Sequence, residues 1–233
     1  MQVGDVLQTA GVEVTDTWFP CGPSMAAFCV CVNAAQGAVE VALVGREGAI
    51  GGIFSNGRVP SYATARVVSA GRFVRIKLTA LESVKLDSIN LRHWFSRYSD
   101  CLLAQIFQTA ACNATRTIMQ RTAKWLLAAI SRAGQPEFQL THEALAEMLG
   151  VGRTFMTRVV RKLRDEGVIE TRRGVFVVKN EPALRAASCD CSFRDRESFR
   201  RGATRHLSAH LSRAASPSYL VSFATRYFTS STS

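Results

Sequence analysis

The sequence predicts an α+β protein: an antiparallel β domain, then a long helix, then a small helical domain that ends in a β-hairpin. Short apolar runs separated by Gly, Pro and Asn fill residues 1–80. About forty residues without Pro or Gly follow, and residues 140–179 hold two short helical patterns around a Gly. We therefore predict a β domain at 1–80, helices at 81–134, a helical domain at 135–190 and a mostly disordered Ser/Arg-rich tail at 191–233.

The β domain is predicted from short strands joined by turn residues. "MAAFCVCVN" and "AVEVALVG" are joined through "AAQG", which is typical of a β-hairpin. "YATARVVSAG" and "RFVRIKL" follow with partial alternation, after the Gly-rich connection "GREGAIGGIFSNGRVPS". This pattern predicts an antiparallel barrel or a jelly roll.

The helical segment shows an apolar stripe longer than a small β domain needs. Apolar residues recur there at near-heptad spacing, which favours a helix that dimerises with a second copy. Ordinary packing within the chain is the alternative. A second helix is predicted from Thr117 to Arg132, ended by Gly134 and Pro136. The candidate dimerisation residues are Phe95, Leu102, Ile106 and Thr109.

The stretch "LAEMLGVGRTFMTRVVRKL" predicts two helices that meet at a tight turn. Thr141 is a good N-cap for the first helix, and Gly150 suits the left-handed position that ends it. Val151 is expected to point inward, and Gly152 to begin the second helix. Its buried face is predicted to consist of Met156, Val159, Val160 and Leu163.

The opposite face of the second helix is basic and polar. A helical hairpin with a solvated basic face would explain the apolar spacing, but not the Gly break, the inward Val and a basic hairpin, "EGVIETRRGVFVVKN", in this order. We therefore predict a DNA-binding helix-turn-helix with a wing. Arg153, Thr154, Thr157 and Arg158 are predicted to read bases, and Thr141, Arg161, Lys162, Arg172 and Arg173 to contact phosphates.

The overall charge agrees with a polyanionic partner. The formal net charge is +11 and the isoelectric point is about 9.8, although a solvated basic surface is the alternative. The sequence contains no apolar run of about 18 residues, so no membrane span is predicted. The N-terminus does not resemble a secretory signal. Seven cysteines without a CxxC pair are typical of reduced thiols in a cytoplasm.

From about Gly4 to Cys191 the chain resembles the Crp/Fnr family of bacterial transcription regulators. The resemblance is carried by "LTHEALAEMLGVGRTFMTRVVRKLRDEGVIETRRGVFVV", and "MLGVGRT" is similar to a branch whose typical motif is MLGVRRT. It implies a cyclic-nucleotide-binding-like jelly roll, a long dimerisation helix and a winged helix-turn-helix. It also implies a homodimer that binds a palindromic double-stranded DNA operator and works with RNA polymerase.

Carried over by motif position, the resemblance implies that Arg153, Thr154 and Arg158 read bases. Thr154 stands where many members have a Glu that accepts from cytosine N4, so a different half-site is expected. Phe155 stands where a smaller, often hydroxyl-bearing residue is usual, and a phosphate contact is expected to be missing there.

The effector site departs from the cyclic-AMP-binding pattern. Ala49 takes the place of the Glu that binds the ribose, and Pro60 precedes Ser61 where an Arg is expected. Cyclic-AMP binding is therefore not expected, no cofactor is predicted, and an effector, if there is one, is unknown. The weak candidates for an effector pocket are Gly48, Ala49, Gly51, Arg58 and Ser61.

No metal site is predicted from the cysteines or histidines. Cys29 and Cys31 alternate along a strand, which favours buried structural cysteines. Cys189 and Cys191 have no assured basic neighbour in the sequence. His206 and His210 are four residues apart but lie in the weakly periodic tail.

Two other functions are weighed against an effector-modulated regulator. One is an effector-independent DNA-binding protein whose β domain is only a dimerisation scaffold, which Ala49 and Pro60 favour. The other is an enzyme. "GREGAIGG" lacks the Lys and the strand-to-helix context of a phosphate-binding loop, and no nucleophile–base pair stands out, so catalysis is not expected.

Overall fold

The computed structural model of the protein describes residues 1–33, 37–54 and 59–191. The turn of the first hairpin, Arg58 and residues 192–233 of the predicted tail lie outside the described residues. The elements, in chain order, are β1 (Val6–Gln8), β2 (Asp16–Pro20), β3 (Met25–Asn33), β4 (Gly37–Val44), β5 (Thr64–Ser69), β6 (Phe73–Lys77), α1 (Leu78–Asp87), α2 (Ile89–Thr115), α3 (Ile118–Ala133), β7 (Glu137–Gln139), α4 (His142–Met148), α5 (Arg153–Asp165), β8 (Ile169–Arg172), β9 (Val175–Val178) and α6 (Glu181–Ala187).

The β domain consists of two antiparallel sheets. One has the strand order β1-β5-β3-β4, and the other pairs β2 with β6. The predicted hairpin between β3 and β4 is present, with Ala26 opposite Val44 and Cys31 opposite Ala38. β5 and β6 are neighbours in the chain but lie in different sheets, so the two sheets close over one core. The predicted α+β class, with an antiparallel β domain first, is confirmed.

The apolar run of β3 has a structural reason, because both faces of this strand are buried from Met25 to Cys29. Val30 and Cys31 are exposed, so the expected burial of Cys31 is wrong. Ala26 and Phe28 belong to the core between the sheets, whereas Met25 and Ala27 belong to a second core that continues into the C-terminal helices. A strand covered on both sides has no polar alternation. The β domain and the helical domain therefore share buried surface through β3 and β4.

The helical segment begins earlier than the stripe that predicted it, at Leu78, and it has a break at Ser88 in addition to the predicted one before the second helix. Ser88 separates α1 from α2, and its hydroxyl oxygen accepts a hydrogen bond from the Leu91 amide, which caps α2. Phe95 and Leu102 are 3% and 1% exposed and pack in the core of the β domain. The long helix α2 therefore covers the core of the β domain.

The predicted second helix is confirmed as α3. Thr117 and Gln120 form a capping box at its start, and Gly134 ends it with φ at 70°. Its apolar face, with Trp125 and Leu126, packs on the shared core. Beyond α3 the chain forms α4, α5, a three-stranded sheet in the order β7-β9-β8, and α6.

Candidate nucleic-acid interface

The turn between α4 and α5 has the geometry that its sequence predicts. The Thr141 side chain accepts a hydrogen bond from the Ala144 amide at the start of α4. Gly150 takes a left-handed φ of 64°, and the Val151 amide then donates to the carbonyl of Ala146 at 2.9 Å. Gly152 begins α5 without a side-chain cap. These hydrogen bonds define the end of α4 and the turn that leads into α5.

α5 has one buried and one solvent-facing side. Its buried residues are Met156, Val159, Val160 and Leu163, as predicted. Arg153, Thr154 and Arg158 are exposed, and Thr157 is half-buried with its hydroxyl donating to the carbonyl of Arg153 at 2.9 Å. The four residues predicted to read bases thus lie at the N-terminal half of α5.

Within the part of the chain that the structure describes, the acidic partners of the basic side chains on α5 are weak. Arg153 and Glu143 are 4.0 Å apart, Lys162 and Glu166 are 3.9 Å apart, and all four side chains are exposed. Exposed pairs of this kind contribute about 0–1 kcal/mol, so they yield readily to a phosphate. Arg161 is also exposed on this side. The predicted phosphate contacts are therefore available to a ligand.

The two arginines of the β8–β9 hairpin differ in their contacts and in their backbone conformation. Arg172 lies 2.6 Å from Glu170 and lowers the pKa of that carboxyl. Arg173 and Gly174 form the two-residue turn between the paired residues Arg172 and Val175, with φ of 42° and 80°. Positive φ at both positions is the turn that suits a tight hairpin. Arg173 therefore stands at the tip, exposed, in a backbone conformation that favours glycine.

The predicted effector-pocket residues that the structure describes are packed against protein. A Cβ at Gly48 would overlap the Tyr98 hydroxyl, which donates to the carbonyl of Ala49 at 3.2 Å. Gly51 and Ser61 are buried as well, and a Cβ at Gly51 would meet the carbonyl of Asp16. This Gly-rich loop is thus sealed onto α2 by Tyr98. Arg58, the fifth candidate, lies outside the described residues.

The prediction for dimerisation residues needs correction at Phe95 and Leu102, which are buried in the core of their own chain. The periodicity of these two residues reflects packing on the β domain. Ile106 and Thr109 are half-buried, so their place in a dimer interface stays a prediction. The residues of α2 that face outward are displaced by one position, with Leu103 44% and Phe107 65% exposed.

A cavity of about 330 Å³ lies where β4, α2, α3 and the end of α4 meet. None of the described effector-pocket candidates lines it. Its wall includes Glu40, whose carboxylate accepts a hydrogen bond from the Trp125 indole at 2.6 Å. Burial raises the pKa of Glu40 to about 7, against the opposing effects of Trp125, Arg132 and Lys124. The other charged residues of the wall are Arg46, Glu47, Arg121, Lys124 and Arg132.

Sequence reasoning did not find this cavity or the Glu40–Trp125 contact. The one available signal was a carboxylate in the middle of the apolar run "AVEVALV", since a buried acid requires a partner. Which residue would supply that partner was not readable, because Glu40 and Trp125 are 85 positions apart.

A Gly-broken helix pair with an exposed basic second helix, followed by a basic β-hairpin, defines a DNA-binding helix-turn-helix protein of the winged type. Comparison with protein families agrees with this class. Residues 120–187 match the family described as the Crp-like helix-turn-helix domain. The comparison with curated proteins gives no match.

Solved structures place the described chain in the fold of Crp/Fnr transcription regulators. FixK2 from Bradyrhizobium japonicum aligns with a TM-score of 0.68 at 13% identity, covering 81% of this chain and 94% of that one. Two Crp-type transcriptional regulators from Thermus thermophilus align with TM-scores of 0.66 and 0.61 at 15% and 20% identity. They cover 81% of this chain and 95% and 96% of their own chains. No helix in the described part of the chain is long and apolar enough to cross a membrane.

Proposed function

We propose that the protein is a homodimeric transcription regulator that binds a palindromic DNA operator by inserting α5 into the major groove. The observation that carries the proposal is the two-sided α5. Its apolar face fixes the helix in the domain, and its opposite face presents Arg153, Thr154 and Arg158 to solvent. Guanidinium and hydroxyl groups at the N-terminal half of such a helix are the groups that read base edges.

The surrounding basic residues supply affinity without sequence information. Arg161 and Lys162 lie one turn further along α5, and Arg173 lies at the tip of the wing. The Thr141 oxygen accepts the capping hydrogen bond, which leaves its O–H free to donate to a phosphate. Such contacts position the protein on the duplex and make binding salt-dependent.

The outward face of α2 supports a homodimer. Leu103, Phe107, Ala110 and Ala114 are exposed and follow a 4-3-4 spacing along the helix. This spacing is that of a coiled-coil seam, and a two-fold axis through it would place the same face of both chains in contact. A two-fold dimer carries two α5 helices, which requires a palindromic operator. RNA polymerase is the further partner that this function implies.

The test is selection of operators from a random pool of double-stranded DNA. The wild-type protein should enrich a palindrome with half-sites about one helical turn apart. Arg158→Ala should lose specificity at one position of each half-site, at a cost of about 1–3 kcal/mol, since a bidentate guanine contact is worth that much. The control Arg72→Ala removes the same charge from an exposed position of the β domain.

Two outcomes of the selection would contradict the proposal. One is salt-sensitive binding without any enriched sequence, which would assign DNA affinity to net charge alone. The other is an enriched sequence that Arg158→Ala leaves unchanged, because α5 would then not be the reading element.

We propose further that an effector of anionic character binds in the cavity between β4, α2 and α3. Arg46, Arg121 and Lys124 line it, and its wall includes residues of β4 as well as residues at the end of α4. The sealed Gly48–Gly51 loop favours the alternative, an effector-independent regulator. Thermal stabilisation of the wild type, but not of Arg121→Gln, by a cell-derived anionic metabolite fraction supports the effector; no stabilisation supports the alternative.

A further inference from the structure

Three cysteines from distant parts of the chain meet at the joint between the long helix and the DNA-binding domain. Cys112 lies in the last turn of α2, and Cys189 and Cys191 directly follow α6. Their three Sγ atoms all lie within 4.8 Å of one another. The Cys112 and Cys189 sulfurs, 77 positions apart in the chain, are 3.9 Å apart.

We propose that these three cysteines form a binding site for a thiophilic divalent cation of the zinc class. Sulfurs at the corners of a tetrahedron around zinc are about 3.8 Å apart, because each Zn–S bond is about 2.3 Å long. The observed 3.9 Å between Cys112 and Cys189 matches this spacing. A disulfide has an S–S distance of about 2.05 Å, so the two sulfurs are not bonded to each other and both are free cysteines that can act as ligands.

The surroundings of the cluster suit thiolates. The Lys124 ammonium lies 3.6 Å from the Cys112 sulfur, and the Arg116 guanidinium lies 3.9 Å from the Cys191 sulfur. Gln108 also donates to Cys112 at 3.6 Å. Three thiolates and one divalent cation carry a net charge of −1, which these cationic side chains compensate. Buried cysteines that act only as small apolar residues need no such neighbours.

The three cysteines supply one ligand fewer than a tetrahedral ion takes. Among the described residues, no fourth His, Cys, Asp or Glu places a ligand atom in this cluster. A tetrahedral ion held by three protein ligands keeps one position for water or another small ligand, so the ion can exchange with the solution. Cys191 is half-exposed, which gives such an entry path.

The position of the site gives it a consequence for the fold. α2 and α3 are joined only through Arg116 and Thr117, and Cys112 and Cys191 lie on opposite sides of this joint. An ion bound by both would fix the end of the DNA-binding domain against the long helix. If the proposed DNA-binding function holds, metal occupancy should therefore change operator affinity.

The experiment is titration of the reduced, full-length protein with Co²⁺, followed by Zn²⁺. One Co²⁺ per chain should produce thiolate-to-cobalt charge-transfer absorption, and Zn²⁺ should displace it, as expected from the relative affinities of the two ions. Cys191→Ser should weaken binding by more than the roughly 10- to 100-fold cost of losing a group that only orients a ligand. Zn²⁺ should raise the melting temperature of the wild type but not of Cys191→Ser.

Cys21→Ser is the matched control, since Cys21 is a half-buried cysteine of the β domain far from the cluster in the chain, and it should bind Co²⁺ like the wild type. Cys112→Ala is a second variant in case one substitution impairs folding, which its melting curve would show. The site is overturned if no Co²⁺ binds, if Cys191→Ser binds it equally, or if mild oxidation yields a Cys112–Cys189 disulfide in a protein that binds no metal. The titration contains no DNA, so a failure of the DNA-binding proposal would leave its result intact.

Discussion

At the scale of the residue, Glu40 is the clearest departure from what a hydrophobic core tolerates. Glu40 is 9% exposed, its neighbours along β4 are apolar, and its carboxylate accepts a hydrogen bond from the Trp125 indole at 2.6 Å. The contact joins the β domain to α3. A buried acid that loses its charge near neutral pH makes this contact sensitive to pH.

We predict that Glu40 makes the protein less stable as pH rises from 4.5 to about 7. The folded pKa of about 7 exceeds the usual 4.5, so the folded state binds more protons in this window and loses free energy of unfolding as they leave. The loss at pH 8 should be about 3 kcal/mol, from 1.36 kcal/mol per pKa unit. Glu40→Gln, whose amide oxygen still accepts the indole hydrogen bond, should be more stable than the wild type at pH 8 and equal to it at pH 4.5.

Urea unfolding of both proteins from pH 4.5 to 8 measures this difference. Burial lowers the pKa of His142, so His142 contributes with the opposite sign as pH falls below about 6.5. Its contribution cancels when the variant is compared with the wild type. Glu137→Gln, which removes an exposed carboxyl of β7, is the matched control for the same substitution at the surface. If the free energies of unfolding of Glu40→Gln and the wild type change in parallel with pH, the pKa of Glu40 is not raised.

At the scale of the element, the β8–β9 hairpin places backbone strain at its tip. Arg173 is the only residue other than glycine with positive φ in the described ranges. An ordinary residue in this conformation costs roughly 1–2 kcal/mol relative to glycine. The cost brings a cation to the end of the hairpin, where it can reach a phosphate.

We predict opposite effects of Arg173→Gly on stability and on DNA binding. The free energy of unfolding should rise by about 1 kcal/mol, because glycine adopts the positive φ without steric strain. Operator affinity should fall, and the slope of log K against log salt should become shallower by about 1, since one phosphate contact is lost. Chemical denaturation and a salt series of binding isotherms measure the two effects. If the variant is more stable but its salt slope is unchanged, Arg173 does not contact a phosphate of the DNA.

The elements also show how far the sequence alone could lead. The strands β3 and β4, the caps of α3 and the buried face of α5 were predictable, because turn residues, capping residues and helical spacing act locally. The stripe of Phe95 and Leu102 was assigned to a partner chain, yet it covers the β domain. Periodicity shows that a helix face is apolar but does not show which surface covers it. The cluster of Cys112, Cys189 and Cys191 and the Glu40–Trp125 contact could not be predicted either, because a local pattern does not show which distant residues meet.

At the scale of the whole molecule, the β domain, the long helix and the DNA-binding domain are coupled through one region. Glu40, Trp125, Cys112 and the charged cavity all lie where β4, α2, α3 and α4 meet. A ligand bound there acts on the operator only if it prefers one arrangement of the domains. In a dimer, such a preference would move two α5 helices at once and change their separation, which the spacing of the half-sites fixes.

The homodimer is therefore the part of the proposal on which the rest depends. Phe107 is 65% exposed at the centre of the outward face of α2, and Leu103 lies one turn before it. We predict that Phe107→Glu converts a dimer into a monomer, because the two-fold axis would bring the new carboxylates of both chains into one apolar seam, where they lose hydration and repel each other. Operator affinity should fall steeply, since each monomer contacts only one half-site.

Sedimentation equilibrium and binding to whole and half operators measure this prediction. Leu86→Glu, at a 73% exposed position of α1, introduces the same charge away from the seam and should remain dimeric. Both variants should keep the wild-type melting curve at high protein dilution, where the chain is monomeric in every case. If Phe107→Glu stays dimeric and binds the whole operator normally, the dimer forms through another surface, and the spacing of the two α5 helices must be derived from that surface instead.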